Sequence, residues 1–446
     1  MNRRSVLKQA ITGAIAATAW SPLTAQTRRA ANDRLTVALI GCGSRGFNLL
    51  NDFLAEPDAQ IVAVCDVHDL HYRDRDWGKG PQCGRIPAQR AVEQKYGQAR
   101  KSGNFSGVDA LVDFREVCGR DDIDVIVVAT PDHWHARCTM EALQGGKDVY
   151  CEKPVTHLFG EGQAIVREVE KHKAIFQTGS QQRSEDVFRR AVEIIRNGVL
   201  GKIERIEVGL PPGYDGPQGE TTVLQPPKGL DYDLWCGPSE VLPYMRARHH
   251  RWWRGHRMYG GGVLMDWIGH HNDIAHWSMD MDNSGPTRVT AQGWTFPETD
   301  VYDSPFHYTI ECEYANGITS TISDSNLLGT KWIGENGWLH ATRGKLTASE
   351  EAWTKPNFQS GSFEARKSPG HIRDFLDGVR NRVECIAPAE TAHRSITPGH
   401  LGYVSHALGR PLKWNPEREQ VENDPEADQL LKTVSYREPW TLAEKS

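Results

Sequence analysis

Along the first third of the chain, short continuous apolar runs alternate with amphipathic stretches. RLTVALIGCG (34–43), AQIVAVCDV (59–67), IDVIVVATP (123–131) and KDVYCEKP (147–154) are short, rich in branched residues and mostly end in glycine or proline. They predict strands buried on both faces. FNLLNDFLAEP (47–57), AQRAVEQKYG (88–97) and HARCTMEALQGG (135–146) carry the helical period, the first stopped by Pro57 and the last closed by glycines. Strands alternating with helices mean a parallel sheet covered on both sides. EGQAIVREVEKHK, AIFQTGSQQR and VFRRAVEIIRNG continue as helix, strand and helix up to residue 198.

The period then changes. From about 287 to 350 apolar and polar residues alternate, as in TRVTAQGWTF, HYTIECEYANGITSTISDS and GWLHATRGKLTAS. ANG and TRGK read as hairpin turns, so this half is a largely antiparallel, open sheet with helices on one face. Two tail helices are expected, HIRDFLDGVRN (371–381) and PGHLGYVSHALG (398–409). The fold class is therefore α/β. A doubly wound, Rossmann-type parallel sheet spans 34–155, and a substrate-binding α+β domain spans 156–446.

Residues 1–31 stand apart. Arg3 and Arg4 precede the Ala-rich run AITGAIAATAW and a small-residue segment ending near Ala25. Charge, apolar run and small residues in that order read as a removable export signal, and the arginine pair resembles the twin-arginine type. An exported, periplasmic location is expected. No apolar run reaches the roughly 18–20 residues of a spanning helix, so membrane insertion is not expected. A net charge of −6 gives no basic field for nucleic acid. Nine cysteines with no C-x-x-C pair read as free buried thiols rather than a disulfide framework or a zinc site.

Candidate chemistry gathers at the predicted strand ends. Gly41, Gly43 and Gly46 form G-x-G-x-x-G between a strand and a helix, with Ser44 and Arg45 inside the loop. Only there does the motif cradle a dinucleotide pyrophosphate. Asp66 ends the next strand, where a carboxylate accepts from a ribose diol and repels a 2′-phosphate, which favours NAD over NADP. Thr130 and Pro131 end a later strand at the cofactor edge, followed by His133 and His135. These two histidines are read as cofactor-edge groups, and no third ligand at short spacing supports a metal. Glu152 and Lys153 sit at the next strand end. A lysine beside a nicotinamide can bind a substrate hydroxyl and share its proton. Asp266 and His270 are four apart, on one face of a predicted helix that follows three glycines. Hydride loss from a secondary alcohol needs a base for the hydroxyl proton, which suits His270, while Asp266 orients hydroxyls. The residues Trp252, Trp253, Arg254, Arg183 and His271 are candidates for substrate contact.

Together, GxGxxG, ATP, EKP and GGG…D-x-x-x-H resemble the glucose–fructose oxidoreductase / inositol dehydrogenase / MocA family over nearly the whole chain after residue 31. The resemblance implies an NAD-dependent oxidoreductase acting on CH–OH groups of a sugar, polyol or glycoside. It makes Lys153, Asp266 and His270 catalytic, and implies a homodimer or homotetramer built on the open sheet. Export and a dinucleotide fit together only if the cofactor is loaded before export, stays bound and is regenerated in place. Either two sugars exchange hydride through it, or one glycoside is oxidised at C3, cleaved by elimination and reduced again.

Overall fold

The computed structural model describes residues 33–72 and 80–442, and the proposed signal lies outside them. Six parallel strands form the first sheet in the order 109–111, 59–65, 35–40, 125–128, 148–151 and 176–178. Val125–Val128 and Asp148–Cys151 are buried at every position, as strands covered on both faces must be. The chain reverses strand order between Leu35–Ile40 and Val125–Val128, and the crevice outside that point is where open α/β sheets bind ligands.

Two features extend this sheet beyond residue 155. Phe176–Thr178 supplies its edge strand. The helix His371–Asn381 returns to it from the distant tail, with Phe375 packed edge-on against Phe53 and Tyr150. Arg373 and Arg380 of that helix both bind the Asp58 carboxylate. The boundary at 155 is thus a boundary in sequence only.

The second sheet has nine strands, in the order 345–348, 337–342, 329–334, 203–209, 319–323, 307–313, 288–295, 412–415 and 420–421. Every pair is antiparallel except 203–209 with 319–323. His307–Glu313 alternates buried and open positions, so one face packs and the other does not. Two long helices, Gly262–Met279 and Ala389–Leu408, pack on each other over the covered face. The second of these starts nine residues before the helix expected from the sequence and runs through Pro398. Proline removes one donor and disfavours a helix interior, but here the surrounding positions are almost all buried and tertiary packing prevails. All nine cysteines are buried and none is joined in a disulfide.

Candidate active site

A cavity of about 720 Å³ opens at the carboxyl ends of the parallel strands and is walled on its far side by the second domain. Its floor is the glycine turn. Gly41 has φ +92, and a Cβ there would lie 2.6 Å from the Ala129 backbone. A Cβ on Gly46 would lie 2.0 Å from the Gly41 carbonyl oxygen, whereas one on Gly43 would meet nothing within 4 Å. Gly41 and Gly46 therefore close the turn, and Gly43 leaves open space in front of the helix Ser44–Ala55, whose N-cap it is and which no side chain caps. Open backbone at an uncapped helix start suits a pyrophosphate. Asp66 lies on the same wall. Its carboxylate accepts from the amides of Cys42 (2.7 Å) and His68 (2.8 Å), which fixes it at the end of its strand. Beyond it His71 and His250 stack at 3.9 Å between centroids and His68 stacks on both at 5.4 Å. Burial, with His71 adding to it, pushes His68 down to about 4, and burial does the same for His71, so neither carries a charge at neutral pH.

The glycines give a paired expectation. Gly43→Val should leave the thermal midpoint close to wild type and weaken NADH binding at least ~10-fold, since the side chain fills only the pyrophosphate space. Gly46→Ala should lower the midpoint itself, by about 1–3 kcal/mol of stability, because the turn must move. Fluorescence titration with NADH and a melting curve separate the two effects.

At the other end, Lys153 Nζ donates to Asp266 Oδ1 at 2.6 Å and to the Asp266 carbonyl at 2.8 Å. Arg254 Nε reaches the same Oδ1 at 3.0 Å. Burial alone would raise the Asp266 pKa, but Arg254 and then Lys153 hold its carboxyl well below the usual carboxylate range. His270, one turn along the helix, faces the cavity, and its Nδ1 is buried with no partner. Burial, then the charges of Lys153 and Arg343, keep this imidazole neutral. The Thr130 hydroxyl and one oxygen of Asp132 also line the cavity as buried polar atoms without a partner. Such orphans await a ligand.

Comparison with known proteins agrees with this architecture. Residues 85–180 match the oxidoreductase family model described as an NAD-binding Rossmann fold, and residues 187–442 match the model of its C-terminal alpha/beta domain. The chain belongs to the Gfo/Idh/MocA oxidoreductase family. It is an NAD-binding oxidoreductase. It is 28% identical over 171 residues to a glycosyl hydrolase family 109 protein of Shewanella sp. strain MR-4, a match covering 37% of this chain and 33% of that relative's length. Two solved structures share the fold. An NAD-binding protein from Listeria innocua has a TM-score of 0.58 at 17% identity, covering 86% of this chain and 98% of its own. An aldose-aldose oxidoreductase from Caulobacter crescentus has a TM-score of 0.58 at 16% identity, covering 85% and 99%.

In this oxidoreductase the candidate residues separate clearly. Gly41, Gly43, Ser44, Arg45, Asp66, Thr130, Pro131, His135, Glu152, Lys153, Trp253, Arg254, Asp266 and His270 line the one cavity. Gly46 supports the cavity from behind. Arg45 is tied to Glu152 at 2.7 Å, which joins the glycine loop to the lysine-bearing turn. His135 does a related job, bonding the carbonyls of Thr130 and Pro154 at 2.9 and 2.7 Å.

Four candidates lie away from the cavity. His133 spans the carbonyls of Tyr259 and Trp235 and fastens the two domains together, so it is not a cofactor group. Arg183 is 2% exposed, lies outside the cavity lining and bonds Asp273 and Asp282 through all three guanidinium nitrogens, so it is not presented to a substrate. Trp252 follows the opposite side of a short 3₁₀ turn from Trp253 and packs edge-on against Tyr214. His271 is rotated about 100° from His270 on the helix and stacks on Trp267 inside the protein. Among the described residues no cluster of His, Cys, Asp and Glu has the geometry to hold a metal ion.

Asp132 and Arg343 are among the cavity residues that sequence reasoning missed. Asp132 begins the helix Asp132–Gln144 directly after Thr130 and Pro131, and that position at a strand end was the available signal. Arg343 comes from the TRGK turn, where nothing local shows that it reaches the cavity.

Proposed function

We propose that the protein is an exported carbohydrate oxidoreductase that moves hydride between a secondary alcohol of a sugar or polyol and a tightly held NAD(H). The observation that carries the reading is the meeting of Lys153, Asp266 and His270, contributed by two domains, at one wall of the cavity. The cradle fits the dinucleotide through the space before Gly43, the Asp66 carboxylate and the unpartnered Thr130 hydroxyl. When bound, NAD supplies a ring that accepts or returns hydride.

The chain's own groups handle the proton. Lys153, fixed by two bonds to Asp266, donates to the substrate oxygen as charge develops on it. The neutral imidazole of His270, at the cavity wall, accepts the hydroxyl proton. Asp266 stays ionised between two cations and keeps the lysine pointed inward.

A second reading is redox-neutral cleavage of a glycoside by transient oxidation at C3 and elimination. Its support is the likeness to the glycosyl hydrolase family 109 relatives over part of their length. The open sheet face supports assembly into a homodimer or homotetramer.

One experiment separates the readings. The protein is purified from the export compartment without added NAD, its ultraviolet spectrum is recorded, and it is incubated with a glycoside panel in D2O. Bound NAD(H) and an oxidised sugar with no release support the oxidoreductase. Deuterium at C2 of a released sugar supports the cleavage route. Protein that emerges empty and works only with added NAD overturns the retained cofactor, and protein found only in the cytoplasm overturns export.

A further inference from the structure

Some charges of the cavity are matched in contact pairs, while Asp66, Asp132, Glu185, Arg251 and Arg343 line it without an ion pair among the described residues. Lys153 and Arg254 share Asp266, and Arg45 holds Glu152. Arg343, at the turn between strands Gly337–Thr342 and Lys345–Ala348, has no carboxylate of the described residues within 4.0 Å. It is nonetheless held in place. Its guanidinium lies over the Trp267 ring at 5.2 Å. Its Nε donates at 3.3 Å to the side-chain oxygen of Gln182, whose amide nitrogen donates at 2.9 Å to the His270 carbonyl once the amide is oriented to satisfy both ends. Gln182 is 1% exposed, so the anchor is a buried one. Glu185 lines the same wall beyond ion-pair distance, near enough that the Arg343 charge pulls its pKa down against the effect of burial.

An arginine fixed through Nε and through its face keeps the two terminal nitrogens as a planar fork. That fork matches two oxygens of one anion. The fork stands beside His270, at the end of the cavity where the substrate's proton is handled.

We infer that Arg343 selects sugars that carry an oxyanion near the reacting carbon — a carboxylate, a sulfate ester or a phosphate ester — an assignment that rests on reading the cavity as a sugar site. The same placement ties recognition to chemistry. The Arg343 charge adds to burial and to Lys153 in holding the His270 pKa down. An anion on the fork offsets that charge and makes the imidazole a better base only when the preferred substrate is present.

The test compares methyl glucoside with methyl glucuronide and with the 6-sulfate and 6-phosphate of methyl glucoside, on the NAD-loaded full chain and on Arg343→Met and Arg343→Lys. Turnover is read as kcat/KM, and binding as ligand-induced thermal shift. The expected result is a preference of wild type for at least one acidic glycoside by on the order of 10- to 100-fold. Met should reduce that ratio to near one, and Lys, which keeps charge but not the fork, should restore part of it. The favoured acid tells which oxyanion the fork takes. Wild type that prefers the neutral glycoside or treats all four alike overturns the assignment, as does a ratio unchanged in Arg343→Met. Absence of hydride transfer with every sugar counts against the proposed function instead, because the binding ratio still reports on Arg343.

Discussion

Lys153→Met is expected to lower kcat/KM by about 10³-fold while the protein still folds and still binds NADH. Methionine keeps most of the length and apolar stem of lysine but has no donor. What disappears is the ammonium that bonds Asp266 at 2.6 and 2.8 Å and stands ready for the substrate oxygen. The Asp266 carboxylate is not orphaned, because Arg254 remains at 3.0 Å on the same oxygen. A stranded buried charge would cost several kcal/mol and confuse the result, and the second cation prevents it. The loss therefore falls on proton handling, which contributes about 10²–10⁴ to rate. Steady-state kinetics with any accepted sugar gives the number, and NADH fluorescence gives the control. A fall of less than ~10-fold with normal NADH binding would remove Lys153 from the chemistry. His270→Asn serves as its companion, with the limb of the pH–rate profile that reports the base lost from the variant.

How much of this site was readable beforehand depends on how local each signal is. Gly41, Gly43, Gly46 and Asp66 were legible because turn, helix start and strand end lie within 26 residues of one another. The Asp266 and His270 spacing was legible because a helix puts i and i+4 on one face. Arg183 was misread because its partners, Asp273 and Asp282, lie 90 and 99 residues away and no local pattern announces them. The same holds for His133, whose ring bonds to Tyr259 and Trp235 only because the domains meet there. Adjacent residues also divide by rotation alone, Trp253 toward the cavity and Trp252 away, His270 toward it and His271 away. The start of Ala389–Leu408 was missed because Pro398 argues locally for a boundary that packing overrides.

Asp132 leads to the second large effect, on stability rather than rate. Its carboxyl is 1% exposed, one oxygen has no partner, and burial pushes it up to about 7 against the pull of Arg254 and Lys153. The unfolded chain ionises the same group near ~3.9. Below that value both states hold the proton and nothing is lost. Between about 4 and 7 the unfolded state has shed the proton and the folded state keeps it, so stability falls as pH rises. The slope is about 1.4 kcal/mol per pH unit, and above 7 the penalty is constant at roughly 2–4 kcal/mol. Asp132→Asn removes the ionisation and keeps the shape. The variant should match wild type near pH 4 and exceed it by that amount at pH 8, with the gap in thermal midpoint opening between about pH 4 and 7. Glu161 is likewise buried and raised to about 7, but it titrates in both proteins and cancels in the difference. If Asn instead lowers the midpoint equally at pH 4 and pH 8, Asp132 is held by contacts rather than penalised by its charge. The expected sign has a functional meaning. A carboxyl that weakens the fold at neutral pH, placed beside Lys153 of its own domain and Arg254 and Asp266 of the other, belongs to the ligand more than to the scaffold.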